Sequence, residues 1–209
     1  IRLDALGTYL EDPRFIGIKL AHAHQAVAFD DPMLDDLYEL AAAHRAPVLL
    51  HTGVSPFPGT EKEPEFTNPI GLEKTISRYS GLGEERRIEF VLSHVGTADA
   101  DATADSLYLA ATYDNVWLAV SALSQDMIFG PDGEASDITG PQHPWILKSI
   151  IEMDLVDRTI FATDGPQQSG KVRSYLNDII SSMKAAGYST DDMERVLSGS
   201  FYDCFGVLK

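Results

Sequence analysis

Five short apolar segments, each followed by a helical pattern of apolar residues, constrain the fold of this sequence more than any other feature. The segments lie at residues 15–21, 47–51, 88–94, 115–121 and 159–163. Apolar strands that alternate with amphipathic helices are typical of a parallel sheet covered by helices. We therefore predict an α/β fold in which one helix precedes five strand–helix units.

The starts of several helices are predicted from their capping residues. Asp31 followed by Pro32 is typical of a helix start, and Asn68 followed by Pro69 repeats the pattern. A last helix is predicted over residues 190–205.

The placement of polar side chains favours a barrel over an open, doubly wound sheet. Four candidate site residues lie at or near the carboxyl ends of predicted strands: Lys19, His51, His94 and Asp164. The two longest predicted loops, 52–67 and 122–143, leave from the same ends. In a (β/α)8 TIM barrel the active site is built from these strand ends and the loops after them, so we predict this fold.

The length of the sequence fits only part of such a barrel. Eight units take about 250 residues, whereas this sequence has 209 residues and about five units. Because no shift in composition marks a second domain, we predict that residues 1–209 form a single domain, the C-terminal portion of a longer barrel. The alternative is that the missing strands come from elsewhere, such as a partner chain.

The sequence is strongly acidic, with a formal net charge of −16 and a pI near 4.5. Such a field repels phosphate backbones and anionic lipids, so we expect no nucleic acid and no membrane partner. Cys204 is the only cysteine, which excludes an intrachain disulfide and a cysteine-based zinc cluster. Because the sequence has no apolar run of about 18 residues and no signal-peptide pattern at its start, we expect a cytoplasmic protein.

Three strand ends carry a side chain that can bind a metal ion. His51, His94 and Asp164 each follow an apolar strand and stand one or two residues before a glycine. A single histidine in this position is more often a structural residue than a ligand, but three such ends together favour a metal or catalytic role. Imidazole and carboxylate bind divalent metals, which lower the pKa of a bound water. We predict a divalent metal, zinc in the first place and manganese as the alternative.

Three further residues near the first strand are candidates for binding substrate. His22 and His24 would point to the same side of an extended chain, as ligands or substrate contacts, and the alternative is that both are plain loop histidines. Lys19 is predicted to be a buried strand lysine, which is costly unless it is paired or functional. Its alternative role is a structural ion pair.

At these residues the sequence resembles a known superfamily. The segments GIKL, PVLLHTG, VLSHVG and IFATDGP resemble, in this order, strands 4, 5, 6 and 8 of the metal-dependent amidohydrolase superfamily. The branch that looks most similar holds the amidohydrolase-2 proteins and the aminocarboxymuconate-semialdehyde decarboxylase-like enzymes. NVWLAVSAL fits the seventh strand, and VLSGSFYDCFGV resembles the closing helix, with Gly199-Ser200 where relatives usually carry Gly-Asn.

The resemblance implies roles for the candidate residues. His51 would be a metal ligand, and Asp164 a metal ligand or the base that activates water. His94 would be a second metal ligand in two-metal relatives, or the acid/base near the substrate in one-metal relatives. Lys19 would line the site, since in some two-metal relatives a lysine at this strand is carboxylated to bridge the metals.

The sequence departs from the family in its first part. The family's first strand carries a His-x-His ligand pair, and this sequence has no counterpart of the first three strands. His22 and His24 imitate the spacing of that pair, but they stand at the end of the fourth strand.

Three hypotheses for the function follow. The first is a hydrolase that uses metal-activated water on a small-molecule substrate, with Asp164 and His94 moving protons. The second is a metal-dependent, non-oxidative decarboxylase of a small carboxylate on the same fold. The third is not an enzyme: a truncated or degenerate barrel that acts as a binding subunit. Relatives commonly pair, so a homodimer is also expected.

Overall fold

The computed structural model describes residues 2–55, 57–81, 83, 86–96, 99–121, 142–165 and 170–206. The strands of this part are β1 (Ile18–Leu20), β2 (Val48–His51), β3 (Phe90–Ser93), β4 (Val116–Ser121) and β5 (Thr159–Ala162). Its α-helices are α1 (Leu3–Leu10), α2 (His22–Gln25), α3 (Asp35–His44), α4 (Pro64–Thr67), α5 (Glu73–Ser80), α6 (Ala100–Thr112), α7 (Gln142–Glu152), α8 (Lys171–Ala186), α9 (Thr190–Glu194) and α10 (Ser200–Phe205). Short 3-10 segments lie at Pro32–Leu34, Pro69–Leu72, His94–Gly96 and Val156–Arg158, and a π-helical turn joins α9 to α10 at Arg195–Gly199.

The strands form one parallel sheet whose spatial order, β1-β2-β3-β4-β5, follows the chain. In register, Leu20 lies beside Leu50, Leu50 beside Leu92, and Leu92 beside Leu118. A doubly wound sheet reverses its strand order at a switch point, whereas a barrel adds each strand to the same side of the last one. This order confirms the α/β fold and its TIM-barrel class, with five β/α units in the described part of the chain.

The face of the sheet that meets the helices holds the main core. The row of leucines just described is at most 4% exposed. These leucines share one cluster with Leu37 of α3, Ile76 of α5 and Leu109 of α6. Because full burial of a leucine side chain stabilises a fold by about 1.5–3 kcal/mol, this layer supplies much of the stability.

The opposite face of the sheet, which points inward in a barrel, carries a second and smaller cluster. Val91, Trp117 and Ile160, each the second residue of its strand, pack there with Cys204 of α10. Phe205 of α10 packs against the same cluster. The last helix therefore covers part of the inner face away from the carboxyl ends of the strands, where the polar residues lie.

Two helix starts follow the capping chemistry predicted from the sequence. The Asp31 carboxylate accepts a hydrogen bond from the Met33 amide, and the Asn68 side chain accepts one from the Ile70 amide. Each cap satisfies an amide that has no partner inside its helix.

Some predicted boundaries need correction. The strand predicted over 15–21 is longer than β1, because Phe15 and Ile16 lie outside the pairing and are exposed. The loop predicted over 52–67 ends in the short helix α4, and the loop predicted over 122–143 lies largely outside the described residues. In the portion of the chain described here, no helix has the length and hydropathy to cross a bilayer.

Candidate active site at the carboxyl ends of the strands

The register of the sheet brings polar residues of three strands onto one face. Lys19 lies beside Leu49, and His51 lies beside Ser93, so these side chains share the inner face of the sheet. The Lys19 ammonium donates a hydrogen bond to the Ser93 hydroxyl at 3.3 Å. The first three strands therefore build a polar edge where they end.

His51 lies at the centre of this edge. Its ring centroid is 4.7 Å from that of His94 and 5.3 Å from that of His24. Its Nε2 atom is buried and has no hydrogen-bond partner among the described residues. Burial, and then the neighbouring His94 and Lys19, lowers the pKa of His51 to about 3. The ring is therefore neutral at physiological pH and keeps a lone pair for a ligand.

His94 is fixed by Ser121 at the end of β4. The His94 Nδ1 atom lies 3.0 Å from the Ser121 carbonyl oxygen, and the His94 amide donates to the Ser121 hydroxyl at 3.3 Å. A hydrogen bond to this carbonyl, which only accepts, places the proton of the neutral ring on Nδ1 and the lone pair on Nε2; the Ser121 hydroxyl, 3.1 Å from Nδ1, is then a second acceptor. Burial lowers the pKa of His94, whereas the charge of Asp164 acts in the opposite direction. Burial therefore opposes protonation of His94, and the charge of Asp164 favours it.

Asp164 faces His94 from the turn after β5. Its Oδ1 atom lies 4.0 Å from His94 Nε2, and its side chain is 41% exposed. Both residues have a positive φ, 69° at His94 and 58° at Asp164, in the left-handed region that most residues avoid. Such a residue costs on the order of 1–3 kcal/mol, so the surrounding structure has to hold both of them in place.

The two histidines after β1 take different environments, because the chain does not stay extended there but forms the helical turn α2. His22 is 1% exposed, stacks on Phe29 with ring centroids 4.0 Å apart, and has Nδ1 at 2.9 Å from the Val27 carbonyl oxygen. His24 is exposed and faces His51. The structure therefore brings His24 to the polar edge and packs His22 inside.

Lys19 needs a correction, because it is exposed and not buried as the strand pattern predicted. It projects from the inner face of β1, between the buried Ile18 and Leu20. Surrounding protein nevertheless desolvates the ammonium and lowers the pKa of Lys19, and the charge of Asp164 partly offsets this effect. The Lys19 side chain is thus open to solvent on one side of the sheet, while the protein packed around its aliphatic part desolvates the ammonium.

The side chains at this edge are of the types that bind divalent metals. His51 contributes a neutral imidazole with a buried and unpartnered nitrogen, as far as the described residues show, and Asp164 contributes a carboxylate. Within the same described residues, no group of three or more His, Cys, Asp or Glu side chains is gathered closely enough to hold a metal ion. His51, His94 and Asp164 thus bring metal-binding side chains to one edge of the sheet, but the described residues do not form a complete ligand set.

Sequence reasoning missed three residues of the site. Thr52 binds the turn that carries His94, and Ser121 binds the His94 ring. Their positions at the ends of β2 and β4 were the sequence feature that could have identified them. Phe57, in the loop after β2, is exposed and has its ring centroid 5.8 Å from that of His24. An exposed aromatic residue in a long loop beside a site was the available signal.

Parallel strands in chain order, with polar side chains at their carboxyl ends, define the class of this molecule as a TIM-barrel protein. The chain belongs to the amidohydrolase family, since residues 3–200 match the amidohydrolase-2 family model, described as Amidohydrolase. The resemblance seen in the strand-end motifs is thereby confirmed. No curated protein matches the sequence.

Solved structures with the same fold include several enzymes. A metal-dependent hydrolase assigned in Lactobacillus casei has a TM-score of 0.68 and 14% identity, over 99% of this chain and 60% of that one. An uncharacterised TIM-barrel protein from Bordetella bronchiseptica has a TM-score of 0.67 and 18% identity, over 98% and 62%. The 5-carboxyvanillate decarboxylase of Sphingomonas paucimobilis has a TM-score of 0.58 and 16% identity, over 98% and 64%. The chain thus spans less than two thirds of the length of these structures.

Proposed function

We propose that this chain carries the catalytic edge of a metal-dependent hydrolase that uses metal-activated water on a small-molecule substrate. The observation that carries the proposal is His51, whose buried Nε2 has no hydrogen-bond partner among the described residues and whose ring lies 4.7 Å from that of His94. An unsatisfied buried polar group costs about 1–3 kcal/mol. A metal ion on this nitrogen would remove that cost.

The family resemblance and the donor chemistry together assign the ligands. His51 and Asp164 would hold the metal, zinc in the first place and manganese as the alternative, and His94 would be a second ligand or the acid/base. When bound, the metal would supply a water whose pKa lies near neutrality. The neutral state of His51 supports its role, because only the unprotonated imidazole binds a metal.

Proton transfer would be carried out by Asp164 and His94. The Asp164 carboxylate can take a proton from the attacking water. His94 can hold a proton at Nε2, 4.0 Å from Asp164 Oδ1, because its Nδ1 proton is already donated to Ser121. Two proton-carrying groups on separate strand ends suit general acid–base catalysis of hydrolysis.

The substrate would lie against Lys19 and His24 on the inner face, with His22 supporting the helical turn that carries His24. Lys19 is a cation on an open face, which favours a carboxylate on the substrate. The same feature supports a second candidate function, the non-oxidative decarboxylation of a small carboxylate. The fold shared with a 5-carboxyvanillate decarboxylase is consistent with it.

We further propose that the protein works in the cytoplasm, binds no nucleic acid or membrane, and pairs as a homodimer. The net charge of −16 supports the absence of nucleic acid and membrane partners, because it repels phosphate groups.

Elemental mass spectrometry of the purified protein, beside an intact mass, tests the metal. We expect about one or two zinc or manganese ions per chain, as a catalytic site of this donor type holds. The metal should be lost in His51→Ala and Asp164→Ala and kept in His44→Ala, a matched histidine at the end of α3. A metal-free protein whose mass includes the preceding barrel strands would contradict the proposal and favour a binding subunit.

A screen of small carboxylates and their esters, lactones and amides, with assays for released CO2 and for hydrolysis, separates the two chemistries. CO2 release without net uptake of water identifies the decarboxylase. Hydrolysis without CO2 identifies the hydrolase.

A further inference from the structure

The turn that carries His94 has an unusual backbone. His94, Val95 and Gly96 have φ values of 69°, 49° and 69°. Three successive left-handed residues are costly for side chains other than glycine, and most of all for a β-branched valine. Contacts from outside the turn therefore have to hold it.

Thr52, which directly follows β2, supplies two of these contacts. Its hydroxyl donates to the Ser93 carbonyl oxygen at 2.6 Å and accepts from the Gly96 amide at 3.0 Å. One hydroxyl thus joins the residue before His94 to the end of the turn. Thr52 is 1% exposed, so water does not replace these bonds.

Helix α6 holds the other side of the turn. The Thr103 hydroxyl donates to the Gly96 carbonyl oxygen at 3.0 Å. A Cβ atom at position 96 would lie 2.3 Å from the backbone carbon of Ala102, closer than any real contact allows. The turn is therefore confined between α6 and Thr52 and cannot relax toward the helix.

We propose that Thr52 is a positioning residue for His94. Its hydroxyl holds the turn in the shape that lets His94 donate Nδ1–H to the Ser121 carbonyl and turn Nε2 toward Asp164. Without this hydroxyl the turn can adopt a less strained backbone, and the ring loses its alignment with Ser121. The inference rests on the proposed function, because it assigns Thr52 to the proton transfer by His94.

The test is ¹⁵N NMR of histidine-labelled protein without added metal or substrate, which shows the ring nitrogen that carries the proton. His94→Gln assigns the His94 signals. In the wild type we expect the proton of His94 on Nδ1. In Thr52→Val the ratio of the Nδ1–H to the Nε2–H form should fall about tenfold, the effect of losing one hydrogen bond, and Thr52→Ser should restore it.

Two controls belong to this experiment. His22 is an internal reference, because its Nδ1 is held by the Val27 carbonyl and should keep its proton in every variant. Thr67→Val is the matched variant, since the Thr67 hydroxyl is buried and donates to the Glu63 carbonyl within α4's own turn. It should leave the His94 signals unchanged.

A wild-type His94 with its proton on Nε2 would overturn the inference, as would a folded Thr52→Val with an unchanged ratio. Should Thr52→Val not fold, hydrogen exchange of the Gly96 amide in the wild type decides. Slow exchange together with the Nδ1 proton supports the role of Thr52, and fast exchange overturns it. Zinc content, measured separately, reports on the proposed function alone, so a failure of the proposed function can be told apart from a failure of the role of Thr52.

Discussion

At the scale of single residues, the site combines side chains and backbone angles that are costly to maintain. His51 keeps a buried nitrogen with no hydrogen-bond partner in the described part of the chain, and His94 and Asp164 stand on left-handed backbone. Such costs collect at functional sites, where the surrounding structure holds residues ready for a ligand. Their occurrence on three different strand ends is the strongest physical argument that this edge has a function.

The buried ring of His22 predicts that the stability of the fold depends on pH. An unfolded histidine has a pKa of about 6.5, and burial lowers the pKa of His22 in the folded protein, with its bond to Val27 as a smaller opposing effect. The folded state therefore binds fewer protons, so the free energy of unfolding falls as the pH drops below the unfolded value. Above that pH the neutral ring carries no such penalty.

Urea unfolding of metal-free protein on both sides of that pH measures the effect. His22→Asn keeps an amide that can donate to Val27 but cannot titrate, so it should lose less stability than the wild type on acidification. An equal loss in both proteins would show that His22 does not titrate on unfolding.

The sequence could predict which residues reach the site, but not how each is held. Strand periodicity and the parallel sheet place His51 and His94 at one edge. The exposure of Lys19 depends on what covers the inner face. The split between His22 and His24 depends on the helical turn α2, in which the ring of His22 stacks on Phe29. These are tertiary effects, which a local pattern does not contain.

At the scale of secondary structure elements, the sheet and the helix starts follow local chemistry closely. Each predicted apolar segment contains a strand, and the caps at Asp31 and Asn68 are formed as predicted. The last helical region, 190–205, is interrupted by the π-helical turn that leads into α10. No local pattern signals this turn, which brings α10 against the inner face beside Trp117 and Ile160.

The capping interaction at the start of α9 predicts a loss of stability when it is removed. The Ser189 hydroxyl accepts from the Asp192 amide while the Asp192 carboxylate accepts from the Ser189 amide, a complete capping box. Ser189→Ala should lower the free energy of unfolding by about 1 kcal/mol.

Chemical denaturation measures this change, with Ser198→Ala as the control. Ser198 is exposed and its hydroxyl donates to the Glu194 carbonyl oxygen within the helix. An equal effect of both substitutions would show that the cap contributes nothing specific.

At the scale of the whole molecule, the fold and the charge act on different properties. The sheet in chain order gathers the site, while the acidic surface acts over distance on every charged group. With a net charge of −16, mutual repulsion opposes the compact state. The chain pairs some charges, such as Arg195 with Asp157 and Asp203, but the acidic excess remains.

Added salt should therefore raise the melting temperature of the wild type. Increasing KCl to about 0.5 M shortens the screening length to a few ångströms and weakens this repulsion. Calorimetry of the metal-free protein at neutral pH, with sucrose of equal osmolality as the control, measures the shift. A melting temperature that stays constant or falls with salt would show that repulsion does not limit stability.

The strand order described above also bears on how such a protein can change. Each of His51, His94 and Asp164 lies at or just after the end of a different strand, and each strand leads into its own connection. A connection can therefore lengthen, shorten or be exchanged while the other strand ends stay in register. Within the connection after β2, residues 57–63 can accordingly acquire new recognition without disturbing Thr52 or the residues that handle the proton, which makes this stretch the natural place to redesign substrate preference.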